Sequence, residues 1–184
     1  MNKQDNLSGL HPSEERTEYD TDGKRTLVIG CGNVLLGDDG FGPAVIKALS
    51  TGSVPPHVAL IDAGTGIRKV LFNIVLSEQK PEKIIILDAV RKEGRRPGEV
   101  FELALNEMPP QKAEDFSVHH LPTTNMLREL QKDCGVKVMI IAAQVAMLPC
   151  EMSCGLSGPV ARAVLKAKKI AARELCGQTS GVRQ

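Results

Sequence analysis

Residues 84–87 form a run of isoleucine and leucine with no polar interruption, and the run ends at Asp88. A strand with one face in solvent alternates apolar and polar side chains, so an unbroken apolar run is typical of a strand covered on both faces. Helices cover both faces when they pack on either side of largely parallel strands. This run therefore constrains the fold more than any other feature of the chain.

Further strand-like and helix-like segments alternate along the sequence. Strands are predicted at residues 26–29, 58–62, 84–88, 99–105 and 136–143, the fourth at an edge, and helices at residues 41–49, 67–76, 122–133 and from Ser157 onward. This alternation predicts a three-layer α/β/α sandwich around a mostly parallel sheet of five strands.

The length of the chain fits one such domain. With 184 residues it can bury a single core without disulfides or a structural metal. Residues 1–25 are polar and charged and offer almost nothing to a core, so we expect a disordered tail there. The predicted domain spans residues 26–177, and residues 178–184 are predicted to form a flexible C-terminal tail.

Charge and hydropathy argue against several classes of partner. Lys plus Arg number 23 and Asp plus Glu 22, so the chain has no strong net charge to attract nucleic acid or anionic lipid. No apolar run approaches the roughly 20 residues that cross a bilayer, and the start does not resemble a signal peptide. An odd number of irregularly spaced cysteines, five, suits a reducing compartment. These features predict a cytoplasmic protein that binds neither nucleic acid nor membrane.

Candidate functional residues follow the predicted strands. In folds of this class, ligands bind outside the carboxyl ends of the strands, where the loops converge. Asp39 lies in the glycine-rich segment after the first strand, Asp62 ends the second, Asp88 ends the third, and His119 precedes the third helix. Two carboxylates and an imidazole that meet at one edge can hold a cation and leave positions open.

Each of these residues also has an ordinary structural explanation. Asp39 could cap a helix, Asp88 could form a turn at the end of its strand, and a loop histidine is often an unliganded surface residue. Cys31 lies in the first loop, but the sequence places no base beside it, so a buried or inert thiol is the simpler interpretation.

The glycine turn invites a comparison with dinucleotide-binding proteins. Gly30-x-Gly32 resembles the start of their fingerprint, and Asp62 lies where an acid would bind a ribose. Leu35, however, stands where the third glycine belongs, and Asp38 and Asp39 would face a pyrophosphate with negative charge.

Four motifs in order resemble the hydrogenase maturation endopeptidases. They are Gly-x-Gly-Asn-x-Leu-x-x-Asp-(Asp/Glu)-x-x-Gly from Gly30, Asp-x-Gly-Thr from Asp62, an apolar strand ending in Asp-Ala at Asp88, and Ser-x-His ending at His119. The match covers roughly residues 27–175. Residues 121–125 further resemble the branch that processes the deazaflavin-reducing hydrogenases of methanogens.

The resemblance implies roles for particular residues. Asp39, Asp88 and His119 would contact a metal, with the adjacent His120 as the alternative histidine. Asp62 would lie near the cut as a supporting or catalytic carboxylate, so that Asp62, Asp39 and Asp88 form the expected catalytic set. The two glycine-containing loops would bind the substrate through Gly30, Gly32, Asn33, Gly64 and Thr65. The fold implied is a mixed five-stranded sheet with helices on both faces.

The resemblance also implies an activity and a partner. The protein would be an aspartic-type endopeptidase that removes a short C-terminal peptide from the large-subunit precursor of a nickel-iron hydrogenase after nickel insertion. The nickel of the precursor would be its only metal, with zinc or cadmium as substitutes, and the protein is expected to be a monomer. The alternatives are a nickel-sensing chaperone that does not cut and a nucleotide-binding Rossmann-like protein.

Overall fold

The computed structural model describes residues 23–105, 120–146 and 152–176, and for residues 120–123 it describes the backbone only. Within these ranges the strands and helices alternate as predicted. The strands are β1 (Thr26–Cys31), β2 (Val58–Gly64), β3 (Lys83–Val90), β4 (Val100–Glu102) and β5 (Lys137–Gln144). The helices are α1 (Phe41–Ser50), α2 (Ile67–Leu76), α3 (His120–Lys132) and α4 (Gly158–Cys176), and a short 3-10 helix, Gly37–Gly40, precedes α1.

The five strands form one mixed sheet in the order β2-β1-β3-β5-β4. β1 pairs in parallel with β2 and β3, and β3 pairs in parallel with β5. β4 pairs antiparallel to β5 and forms an edge. The predicted sandwich with a mostly parallel, mixed sheet is confirmed, as is the edge position of the fourth strand.

A hydrophobic core lies on each face of the sheet. Alternate residues of β1 divide between the faces, with Leu27 and Ile29 in one core and Val28 in the other. The first core contains the apolar faces of α2 and α3, and the second contains those of α1 and α4. Because β3 lies inside the sheet and is covered on both sides, residues 84–87 are all buried.

The first described residues differ from the prediction of a tail that ends at Arg25. Lys24 and Arg25 were placed in the tail, whereas Lys24 Nζ donates to the Pro56 carbonyl at 2.9 Å. Arg25 Nε donates to Glu82 Oε1 at 2.8 Å, and the Arg25 backbone amide donates to the His57 carbonyl at 2.9 Å. Both residues therefore attach the chain to the sheet. Residues 1–22 of the predicted tail lie outside the described residues.

None of the helices in the described part of the chain combines the length and apolar character needed to cross a membrane.

Candidate active site

Three aspartates lie at the carboxyl ends of three neighbouring strands. Asp62 near the end of β2 is paired in register with Gly30 of β1, and Gly30 is paired with Leu87 of β3. Asp88 follows Leu87, and Asp39 lies in the short helix between β1 and α1. The parallel topology therefore brings Asp39, Asp62 and Asp88 to one edge of the sheet, as the sequence predicted.

Asp39 faces the loop that leaves β1. Its Oδ2 accepts a hydrogen bond from the Asn33 backbone amide at 2.5 Å, and Asn33 Oδ1 in turn accepts the Leu35 amide at 2.9 Å. The short helix and α1 both lack a side-chain cap at their N-termini. The helix-cap explanation for Asp39 is therefore wrong, because its carboxylate stabilises the preceding turn instead. Asn33, predicted to bind substrate, holds that turn.

Asp88 is a carboxyl group with a strongly raised pKa. Burial of the side chain, and then the negative charge of Asp39, raise its pKa from 3.8 to about 7, opposed by a hydrogen bond from the Ala89 amide. That amide donates to Asp88 Oδ1 at 2.9 Å. A carboxyl group with a pKa near 7 can take or release a proton at neutral pH, as catalytic acids and bases must.

Asp62 has a more open position than Asp88. Its side chain is exposed, and Oδ1 accepts the Gly64 backbone amide at 3.1 Å within the same turn. The Gly64 carbonyl accepts the Gly32 amide at 2.9 Å, which joins the turn after β2 to the loop after β1. Thr65, also predicted to bind substrate, is exposed beside this junction.

Cys31 lies beneath the carboxylates and is 3% exposed. Burial, followed by the charges of Asp88, Asp39 and Asp62, raises the pKa of its thiol well above the usual value. All three aspartates therefore lie near enough to Cys31 to interact with its thiol electrostatically. A thiol in these surroundings remains protonated and is not an activated nucleophile.

Glycines give α1 its close approach to the carboxyl edge. An ideal Cβ on Gly42 would overlap the carbonyl oxygens of Cys31 and Leu87, and one on Gly30 would lie 2.6 Å from the Gly42 oxygen. Gly32 has a φ of 122°, and a Cβ there would overlap the Asp39 carbonyl. The structure therefore gives Gly30 and Gly32 a packing role, and their contact with the substrate stays a prediction.

Asp38 is a structural residue that the sequence analysis did not single out. The residue is 2% exposed, Oδ1 accepts the Ser157 amide at 2.7 Å, and Oδ2 accepts the Ala146 amide at 2.8 Å and the Ser157 hydroxyl at 3.0 Å. It therefore joins the loop after β1 to the end of β5 and the start of α4. The pair of aspartates before Gly40 indicates that this turn has a special role, but the sequence does not show which of the two carboxylates is buried.

The predicted metal-contacting set is described in part. Asp39 and Asp88 lie at the same edge and near enough for the charge of Asp39 to raise the pKa of Asp88. His119 lies outside the described residues, and the alternative, His120, begins α3. Within residues 23–105, 120–146 and 152–176, no three His, Cys, Asp or Glu side chains are grouped closely enough to hold a metal ion.

The electrostatics of this edge favour a positive ligand. Two neighbouring carboxylates repel each other when both are ionised, and this repulsion contributes to the raised pKa of Asp88. A cation between Asp39 and Asp88 would stabilise both charges, and two carboxylates are suitable oxygen ligands for a divalent metal.

Comparison with known proteins identifies similar chains. Residues 43–174 match the family model described as hydrogenase maturation protease. A Methanocaldococcus jannaschii protein assigned to the same family is 35% identical over 154 residues, which cover 83% of this chain and 97% of that protein. The coenzyme F420 hydrogenase subunit delta of Methanothermobacter thermautotrophicus is 36% identical over 145 residues, covering 77% and 88% of the two chains.

The fold also matches a solved structure. The hydrogenase maturating endopeptidase HybD from Escherichia coli superposes with a TM-score of 0.69 over 84% of this chain and 94% of that chain, at 23% identity. At this identity the superposition supports the fold alone. The family is supported by the family model and by the relatives from the two methanogens.

Proposed function

Because the chain belongs to the hydrogenase maturation proteases, we propose that it removes a short C-terminal peptide from the large-subunit precursor of a nickel-iron hydrogenase after nickel insertion. The observation that carries the proposal is the placement of Asp39, Asp62 and Asp88 at one carboxyl edge of the sheet, with Asp39 near enough to raise the pKa of Asp88. An exposed edge with three carboxylates suits a substrate that brings its own positive charge.

In this proposal the nickel belongs to the substrate. Asp39 and Asp88 contact the nickel of the precursor, and His119 supplies the third contact. The repulsion between Asp39 and Asp88 supports this assignment, because a divalent cation would remove it. Nickel insertion would then create the feature that the protease recognises.

The carboxylates also suit hydrolysis of a peptide bond. A metal ion beside the scissile bond can polarise its carbonyl or position the attacking water. Asp62 lies at the same edge and its side chain is exposed, so a bound substrate can reach its carboxylate. The hydrogen bond that this carboxylate accepts from the Gly64 amide is also exposed. In the absence of a cation the pKa of Asp88 is about 7, and contact with nickel would favour the ionised form that serves as a ligand.

The proposal extends to the class of hydrogenase. Coenzyme F420 is a deazaflavin, and similarity to a subunit of an F420 hydrogenase supports a precursor from that class. We further expect the protein to act as a monomer in the cytoplasm.

A mass measurement tests the proposal. The protein is incubated with the nickel-loaded precursor from the same organism, and the expected result is loss of a C-terminal peptide from the precursor. Nickel-free precursor is the control and should keep its full mass. Stable binding without any mass loss would instead favour a nickel-sensing chaperone, and cleavage of both forms would contradict nickel recognition.

A further inference from the structure

Exposed apolar side chains gather beside the carboxylates. The large exposed hydrophobic residues in the described ranges are Val34 at 56%, Leu35 at 44%, Phe72 at 54%, Leu76 at 66%, Met152 at 78% and Leu165 at 63%. Single exposed apolar residues are ordinary on a protein surface, whereas a group of them beside a site indicates an interaction surface. Val34, Leu35 and Met152 form such a group, which we name the apolar rim.

Hydrogen bonds join the two segments of the apolar rim. Leu36 forms an isolated parallel bridge with Ser153. The Ser153 amide donates to the Leu35 carbonyl at 2.9 Å, and the Gly37 amide donates to the Ser153 carbonyl at 2.7 Å. Leu35 and Met152 each precede a bridge residue, so they occupy neighbouring register positions, where parallel strands carry side chains on the same face.

The apolar rim is continuous with the carboxylate site. Val34 follows Asn33, whose amide donates to the Asp39 carboxylate at 2.5 Å. The Val34 Cα lies 3.1 Å from an ideal Cβ on Gly40, the residue after Asp39. Asp38 holds the same loop to the start of α4 through Ser157. The position of the rim relative to Asp39 is thus set by packing and hydrogen bonds.

We propose that the apolar rim binds an apolar stretch of the large-subunit precursor beside the segment that is cut. This inference rests on the proposed function, and it assigns the recognition of the protein part of the substrate to Val34, Leu35 and Met152. The aspartates offer a cation-binding surface but little apolar area, whereas protein interfaces obtain much of their affinity from apolar contacts at their centre.

Continuity with the site favours the precursor over a second copy of this chain as the occupant. A substrate that places its scissile bond near Asp39 comes close to Asn33, whose amide contacts the Asp39 carboxylate, and to the next residue, Val34. A second copy seated on the rim would cover that approach and compete with the substrate.

A steady-state kinetic comparison tests the apolar rim. The triple variant Val34→Ser, Leu35→Ser, Met152→Ser is expected to raise KM for the nickel-loaded precursor at least tenfold, with kcat changed less than twofold. The matched control Phe72→Ser, Leu76→Ser, Leu165→Ser removes the same number of exposed apolar side chains from α2 and α4. Its KM should equal that of the wild type. Melting curves of both variants establish that they are folded.

Several results would overturn the inference. They are an unchanged KM in the rim variant, an equal rise in both triple variants, and a fall in kcat without a change in KM. A wild-type dimer in light scattering that the rim variant loses would assign the surface to a second copy.

The proposed function and the rim can fail separately. If wild-type protein cuts no precursor, the proposed activity fails, and the rim is tested by binding of the nickel-loaded precursor. A Kd at least tenfold weaker for the rim variant than for the control would still support the rim, whereas equal Kd values would overturn it.

Discussion

Asp38 and Asp39 are adjacent in the chain but lie in different surroundings. The Asp38 carboxylate is buried and accepts three hydrogen bonds from Ala146 and Ser157. The Asp39 carboxylate is partly exposed, accepts the Asn33 amide and interacts electrostatically with Asp88. Which carboxylate faces inward depends on the turn geometry after β1, so the sequence could identify Asp39 by its motif but could not show the role of Asp38.

For single residues, we first predict how much the Asp38 carboxylate contributes to the free energy of unfolding. Asp38→Ala would remove the charged acceptor of the Ala146 and Ser157 amides, so we expect a loss of roughly 2–5 kcal/mol in the free energy of unfolding, measured in urea. Ser157→Ala removes only the hydroxyl bond and should cost about 1 kcal/mol. Equal losses in the two variants would contradict the role given to the Asp38 carboxylate.

A second prediction concerns how the stability of the metal-free protein changes with pH through Asp88. The folded pKa of Asp88 is about 7, above the ordinary value of 3.8, so between these values the folded protein holds a proton that the unfolded chain releases. Stability should therefore be highest at the acidic end of this window and fall as pH rises toward 7, by on the order of 2–4 kcal/mol.

Asp88→Asn isolates this effect. An asparagine Oδ1 can keep the bond from the Ala89 amide but carries no charge. The variant should lose most of the pH slope and exceed the wild type in stability at pH 8. Urea unfolding between pH 5 and 8 measures both, with Asp62→Asn as the exposed control. A slope unchanged in Asp88→Asn would refute the assignment.

At the scale of elements, most boundaries could be predicted because the apolar periodicities were strong. Helix α2 begins and ends where the pattern placed it, and β3 extends the predicted run by one residue at its start and two at its end. β4 is shorter than predicted, Val100–Glu102 instead of residues 99–105, because its register with β5 covers these three residues. Glu99 and Leu103 on either side each form one backbone hydrogen bond with β5. The Leu36–Ser153 bridge could not be predicted, since it joins distant loops through backbone groups that carry no sequence signal.

The contact between α1 and the sheet gives a prediction at the element scale. Gly42→Ala would place a methyl group against the carbonyls of Cys31 and Leu87, both backbone atoms that cannot move aside easily. We expect a loss of about 1–3 kcal/mol or more in unfolding free energy, together with reduced activity because α1 follows Asp39.

Gly52→Ala is the matched control for Gly42→Ala. It lies just after α1, and its nearest neighbouring atom is the Leu49 oxygen at 3.5 Å from an ideal Cβ. This variant should unfold within about 0.5 kcal/mol of the wild type. If Gly42→Ala and Gly52→Ala lowered the free energy of unfolding by similar amounts, the close contact between α1 and the sheet at Gly42 would not be needed for stability.

In the molecule as a whole, the sheet separates the candidate site at its carboxyl edge from the two cores that stabilise the fold. β1, β2 and β3 carry their aspartates to one edge, while the two cores on either face supply stability independently of that edge. The sequence could place Asp39, Asp62 and Asp88 there because parallel strands share their carboxyl ends. It could not establish burial at Asp88 or the charge interaction with Asp39, since both arise from packing.

A metal-binding prediction follows at this scale. We expect the purified protein to contain little metal and to bind nickel, zinc or cadmium weakly, because the site offers few protein ligands and the rest would be water. Metal analysis and calorimetry measure this, and Asp39→Asn should weaken the binding further. Stoichiometric metal that resists a chelator would contradict it and would indicate a permanent cofactor.

We propose that Asp39 and Asp88 act on a nickel-loaded precursor at the carboxyl edge of the sheet. The test is the mass of that precursor after incubation with wild-type protein, Asp39→Asn, Asp88→Asn or a control variant at an exposed residue, Asp133→Asn. We expect wild-type protein and Asp133→Asn to remove the C-terminal peptide, while folded Asp39→Asn and Asp88→Asn leave the precursor at full mass. Removal of the peptide at the wild-type rate by either Asp39→Asn or Asp88→Asn would show that these carboxylates do not act on the precursor.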